Sequence, residues 1–442
     1  MKLVKRLLFI LLVLVLVALW YNYPKLNIIS GYASKNMAST VYIANRSVAS
    51  VTQNDNNAPL IKLADATMEE NTAMASVFGL MERKSICRPG TGCVLVTPDF
   101  EGQLNIPTPR RNRTQSPLPY PYGNGKEKDS LFPEVRYSIL EKGLDYAFGD
   151  PEVRRTRSVL VLYKDHVIAE RYANGTTKET PVLGWSMTKS VLSTLFGILE
   201  YKGGLKVNDY APVASWQSDS RKNITLNNLL RMQSGLSWDE DYGSISDVTR
   251  MLFLNTDMTL PQARKQALAA PGQIWNYSSG TSNLLSGILR QQFKTHQEYM
   301  DFPYSALIDK IGMHSMLMET DMSGNYVGSS YAWGTTRDWA RFGLLYLNRG
   351  DWNGTRLFSE NWVDYVTRPT PLSNGTYGAH FWLNAEGKYP NIPKDLFSAN
   401  GFQGQRVFIL PSKNLVIVRT GLAENPDFDF NAFLEGIVSA FP

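Results

Sequence analysis

The sequence predicts an α/β fold in which a sheet is assembled from distant parts of the chain, with a helical lobe inserted between them. Three observations carry this expectation. Apolar, β-branched runs at 157–163 and 167–172 read as strands joined by the tight turn Lys164-Asp165-His166. Runs of the same kind return only far downstream, at 377–383, 397–400, 407–410 and 415–419. Between them the period is helical: Val191, Leu192, Leu195, Ile198 and Leu199 repeat on one face, and 337–347 does the same before Asn348-Arg349-Gly350-Asp351 ends it. Residues 132–148 read as a helix before the sheet, 205–325 as helices and loops, and 428–441 as a closing helix.

Composition agrees with a globular chain. Of 442 residues, 43% are hydrophobic and 19% charged, which suits a large buried core and excludes a disordered protein. The net charge of +5 is small for this length, and no Lys/Arg block stands beyond the N-terminus, so nucleic-acid binding is not expected.

The N-terminus has the pattern of an export signal. Lys2, Lys5 and Arg6 precede an almost unbroken apolar run from Leu7 to Trp20. No small-x-small cleavage site follows, because the run ends in Trp20-Tyr21-Asn22-Tyr23-Pro24. Residues 1–23 are therefore expected to be an uncleaved signal anchor holding the bulk of the protein outside the cytoplasm in the cell envelope, with a cleaved signal as the alternative. The run is short against the roughly 20 residues that span a bilayer comfortably.

Residues 24–129 form a distinct N-terminal extension. Residues 31–51 are rich in small side chains and read as helical. Over 75–96, apolar residues flank Pro89-Gly90 and suggest a two-stranded hairpin. It carries both cysteines, Cys87 and Cys93, facing each other as a disulfide pair for an oxidising compartment. A metal site is not expected, since the four histidines lie elsewhere. Residues 105–128, with Pro107, Pro109, Pro117, Pro119 and Pro121, read as an extended linker to a compact domain at 130–442.

The chemistry centres on Ser186-Met187-Thr188-Lys189, at the start of the helix that Gly203-Gly204 stops. Ser and Lys three apart share one helical face at the positive end of the helix dipole, where an alkoxide-like Ser and a neutral Lys amine are both favoured. Alone, the tetrad is better read as an N-cap Ser with a solvated Lys. A nucleophile also needs a second proton-handling group and an oxyanion hole. Tyr277-Ser278-Ser279, before an apolar helix, offers a phenol that would relay the proton of Ser186. Gly401-Phe402-Gln403-Gly404-Gln405 enters a strand, and its glycines let substrate approach the backbone, so the amide of Gln405 would pair with that of Ser186 as oxyanion donor. The plain readings are a capping serine and a hairpin turn. His166, His296, His314 and His380 do not form a Ser-His-Asp triad with any serine in a Gly-x-Ser-x-Gly context. His380 either lines the cleft or packs in the core.

Together these segments resemble the serine β-lactamase and penicillin-binding-protein superfamily, and within it the class C β-lactamase-like group. Further similarity lies in Ile224-Thr225-Leu226, in Leu229 to Leu236, and in Thr336 to Gly343. The resemblance implies a β-lactamase/transpeptidase-like fold, an antiparallel sheet flanked by helices with an inserted helical lobe, and no cofactor. It implies Ser186 as acylated nucleophile, Lys189 as its base partner and Tyr277 as proton relay.

Two departures shape the substrate expectation. Ser279 stands where that group has the Asn of Tyr-x-Asn, and Phe402-Gln403-Gly404 stands where it has Lys-Thr-Gly. Phe402 cannot supply the positive charge that meets a penicillin carboxylate. The chain is more similar to the 6-aminohexanoate-dimer-hydrolase and esterase branch, which implies a small amide or ester substrate. Ser279, His380, Phe402, Gln403 and Gly404 are expected at the substrate, and Asp239 and Tyr242, in the acidic loop 238–242, are expected to meet an amino group or else to be a solvated loop. The other readings are a D,D-carboxypeptidase or β-lactamase, and a catalytically silent binding or sensor domain.

Overall fold

The computed structural model describes residues 2–97, 100–128, 130–424 and 426–442. They divide into two compact units. The first comprises 1–88, 92–104 and 239–256, and the second comprises 89–91, 105–238 and 257–442.

In the first unit, helix α1 (Lys2–Ala44) is followed by α2 (Val48–Gln53) and by a four-stranded antiparallel sheet of β1 (Ala64–Glu69), β2 (Thr72–Val77), β3 (Leu80–Arg88) and β4 (Gly92–Leu95), in that spatial order. Met37, Ala38 and Val51 pack on Ala73 and on the disulfide. Small side chains on this face of α1 bring the helix near the sheet, and Ser34 Oγ reaches both Ala73 O and Ser85 Oγ. Cys87 and Cys93 are direct cross-strand partners and are disulfide-bonded. The expected hairpin is thus one half of a larger sheet, with β4 at its edge.

Among the described residues, no helix is long and apolar enough to cross a membrane. The anchor expected at 1–23 is therefore unsupported.

The second unit is built on a six-stranded antiparallel sheet. Its strands are β5 (Thr156–Tyr163), β6 (His166–Tyr172), β7 (Trp382–Leu383), β8 (Phe397–Gly401), β9 (Gln405–Leu410) and β10 (Leu415–Gly421), in the order β7-β8-β9-β10-β5-β6. The early strands join the late ones through β10 and β5, where Val418 pairs with Leu160. Side chains alternate along each strand. Leu160, Leu162, Val407 and Ile409 face one core with helices α4 (Met187–Tyr201) and α6 (Thr336–Leu347). Val159, Val161, Phe408 and Ile417 face another with α3 (Tyr137–Phe148) and α7 (Phe430–Val438). Helix α5 (Ser279–Arg290) belongs to the intervening lobe.

Two expectations change. The strand expected over 377–383 is regular only at Trp382–Leu383, because Gly378 and the left-handed His380 (φ 63°) break it. The stretch 105–128 is a strap belonging to this unit: Arg111 is ion-paired with Asp309 at 2.6 Å, and Arg110 with Asp301.

Candidate active site

Ser186 opens α4 with near-helical backbone angles (φ −64°, ψ −6°), and its hydroxyl caps no helix N–H. The turn before it is fixed instead by Thr188, whose Oγ1 donates to Trp185 O at 2.7 Å. That leaves the half-buried Ser186 Oγ to Lys189, whose Nζ lies 3.1 Å away. Lys189 is only 2% exposed, so it is not the solvated lysine of the plain reading. Its Nζ also donates to Ser279 Oγ and to Ser329 O, both at 2.9 Å.

This arrangement suits a base. Ser329 O can only accept, and Ser186 Oγ and Ser279 Oγ share the same Nζ, so loss of one proton would leave a lone pair within reach of the Ser186 hydroxyl. Tyr277 adjoins the pair with its ring, whose centroid is 4.9 Å from Lys189 Nζ. The ring is held by Trp382 at 5.4 Å and by Tyr377 at 5.8 Å.

Ser278 and Ser279, neighbours in sequence, do different work. Ser278 caps α5, accepting from Thr281 N at 2.9 Å, and so turns Ser279 inward to Lys189. Ser279, expected at the substrate, is fully buried. The same holds for His380, which is 2% exposed. Its Nε2 meets Ser282 Oγ at 2.9 Å and its Nδ1 meets Leu230 O at 2.7 Å. Burial, with a smaller contribution from nearby Lys189, pushes the imidazole down to about 3, so it is neutral at pH 7.

Gly401 to Gln405 form the tip of the β8–β9 hairpin. Gly401 is required there, because a Cβ would lie 2.1 Å from Gly184 O. Phe402 is 41% exposed and meets Trp185 edge-on at 5.6 Å. Gln403 is left-handed (φ 59°), and its amide donates to the Glu424 carboxylate. Gly404 (φ 80°) packs against the Arg419 guanidinium, where a Cβ would lie 2.3 Å from Nη1. Gln405, the expected oxyanion donor, is engaged within the tip. Its N–H donates to Phe402 O within the turn, and its side-chain amide bridges both backbone groups of Gly421. Asp239 and Tyr242 belong to the first unit, where Asp239 Oδ1 accepts from Asp241 N and the Tyr242 hydroxyl donates to Glu240.

Sequence reasoning missed Ser329, Arg406 and Arg419. Ser329 contributes a carbonyl, which carries no residue-type signal. Both arginines lie on strands whose alternation reads as ordinary sheet.

Comparison with known proteins follows the same lines. The Beta-lactamase family profile matches residues 149–434. The 6-aminohexanoate-dimer hydrolase of Paenarthrobacter ureafaciens is 23% identical over 324 residues, covering 67% of this chain and 80% of that protein. Among solved structures, a penicillin-binding protein homolog from Caulobacter crescentus superposes with a TM-score of 0.55 at 15% identity, covering 70% of this chain and 99% of the other. A family VIII carboxylesterase gives 0.52 at 15% identity, covering 71% and 100%. These structural likenesses establish the shared fold. The profile spans most of the second unit and contains every element that carries the Ser186–Lys189 pair, and so the chain belongs to the Beta-lactamase family of serine hydrolases.

Proposed function

We propose that this protein cleaves a small amide or ester through an acyl-enzyme formed on Ser186. The observation that carries the reading is the 3.1 Å contact between Ser186 Oγ and the buried Lys189 Nζ, which also donates to Ser279 Oγ and Ser329 O. Lys189 takes the hydroxyl proton as Ser186 Oγ attacks the carbonyl. Tyr277, against Lys189, gives its proton to the leaving group and takes the one Lys189 holds, so both groups return to their starting states. Water then releases the acyl group by the reverse sequence. The Ser186 amide is one oxyanion donor, and the hairpin tip supplies the second.

Aromatic surface favours an uncharged acyl portion. Phe402, exposed, meets Trp185 beside Ser186, and Tyr277 and Trp382, both half-buried, pack together beside Lys189. The relative named as a 6-aminohexanoate-dimer hydrolase points to a linear amide as one natural class. The disulfide is compatible with an extracytoplasmic location and supports export.

Turnover of a chromogenic short-chain ester and labelling by a fluorophosphonate test the reading. Both are expected in the wild type and lost in Ser186→Ala. Equal turnover and labelling in the variant would overturn it.

A further inference from the structure

The hairpin tip beside Ser186 has its carbonyls tied from behind. Arg406 Nη1 donates to Gly401 O at 2.7 Å and to Gln405 O at 2.8 Å. Arg419 Nη1 donates to Gln403 O at 3.2 Å and to Gly404 O at 3.0 Å. The remaining carbonyl, Phe402 O, accepts the N–H of Gln405. All five carbonyls from Gly401 to Gln405 are therefore engaged, four of them by two guanidinium groups.

The two arginines are cross-strand partners, Arg406 with Arg419, on the face of the sheet opposite Ser186. Arg406 lies over Phe430 at 4.4 Å and Arg419 over Phe428 at 4.3 Å, both rings belonging to the α3–α7 core. Gly401 points the other way, its missing side chain directed at Gly184 O in the turn that leads to Ser186. Within one trans peptide the C=O and the following N–H point in opposite directions. A Gly401 carbonyl drawn toward Arg406 thus turns the Phe402 N–H toward the Ser186 side.

We propose that Arg406 and Arg419 are positioning residues that clamp the tip from behind and present the Phe402 N–H as the second oxyanion donor. Neither guanidinium touches substrate, and each acts through the peptide planes it holds. Arg419 is fully buried, and all its hydrogen bonds go to backbone carbonyls and to Thr156 Oγ1. Burial brings it down to about 9. A cation kept in such a place at a desolvation cost, and bonded to the tip, fits a role in orienting that tip. The pair also places positive charge behind the site where the family resemblance leads one to expect a lysine and the chain has Phe402.

The inference rests on the acyl-enzyme reading, and the experiment separates the two. Full-length wild type, Arg406→Met and Arg419→Lys are titrated with the fluorophosphonate, and kcat for a short-chain ester is expressed per titrated site. The infrared carbonyl band of the acyl-enzyme is recorded for each protein. A displaced donor is expected to lower kcat per site roughly 10- to 100-fold with KM little changed, and to move the acyl carbonyl band to higher wavenumber as its polarisation weakens. A merely structural role would lower the number of titratable sites and leave kcat per site and the band unmoved, which would overturn the clamp. Arg406→Gln repeats the test if Arg419→Lys does not fold. Wild type that forms no acyl-enzyme would remove the catalytic reading itself, and the clamp with it.

Discussion

Lys189 Nζ and Ser279 Oγ lie 2.9 Å apart, both side chains buried, although 90 residues separate them in sequence. The contact turns a family departure into a local substitution: a hydroxyl stands where the resemblance leads one to expect an amide, and it still accepts a proton from the lysine. Ser279→Ala would leave one N–H of Lys189 without its acceptor. We expect kcat to fall roughly 10- to 100-fold with KM almost unchanged. A substrate-binding role would instead raise KM, so steady-state kinetics on a neutral ester decide between the two.

Phe402 makes a prediction about ligands. With an exposed aromatic ring at the hairpin tip in place of a lysine, fluorescent penicillin should label Ser186 far more slowly than a fluorophosphonate does. Gel fluorescence over a time course measures this. Labelling by the two probes at comparable rates would contradict the assignment.

Gly401→Ala inserts a methyl 2.1 Å from Gly184 O, a distance that forces the hairpin tip away from the turn before Ser186. Overpacking of this kind costs about 1–3 kcal/mol. Activity per folded molecule should fall by more than the stability loss explains, as thermal melts read beside kcat would reveal.

His380 carries a pH signature. Its folded value, about 3, lies below the ordinary value of 6.5, because burial disfavours the imidazolium. Between those values the unfolded state binds the proton and the native state does not. The stabilisation is therefore complete above about pH 6.5 and is lost progressively as pH falls toward 3. Going from pH 7 to pH 5, the wild type should lose on the order of 2 kcal/mol relative to His380→Asn. Denaturant melts of both proteins at the two pH values test it, and parallel pH dependence would refute it.

Reduction of Cys87–Cys93 should act on the first unit. The closed loop is short, with a sequence separation of 6, so the entropic contribution is roughly 2 kcal/mol. Hydrogen exchange in β3 and β4 with and without reductant measures the effect.

Much of the fold was legible because its signals are local. The pairs β5–β6 and β9–β10 are runs of β-branched and apolar residues bounded by turns, and α4 shows its period and its Gly203 stop. Strands β1 and β2 were not legible. Ala64–Glu69 and Thr72–Val77 are short and rich in small or polar residues of weak strand preference, and they become strands by pairing with β3 beneath α1. The strap at 105–128 read as a linker because its proline content is local, whereas the ion pairs that bind it reach about 190 residues along the chain.

The sequence by itself determined which residue types were present and in what order: Ser186 and Lys189 on one helical turn, Tyr277 before an apolar helix, and a glycine-bounded tip entering a strand. Short-range geometry suffices for that, since three residues along a helix bring Ser and Lys to one face. Only the tertiary structure decided which groups those residues meet. It brought Ser279 and the Ser329 carbonyl to Lys189, enclosed His380, spent the Gln405 amide inside its own turn, and set two arginines behind the tip. The direction of a peptide plane depends on what its carbonyl bonds to, and those partners came from the opposite face of the sheet.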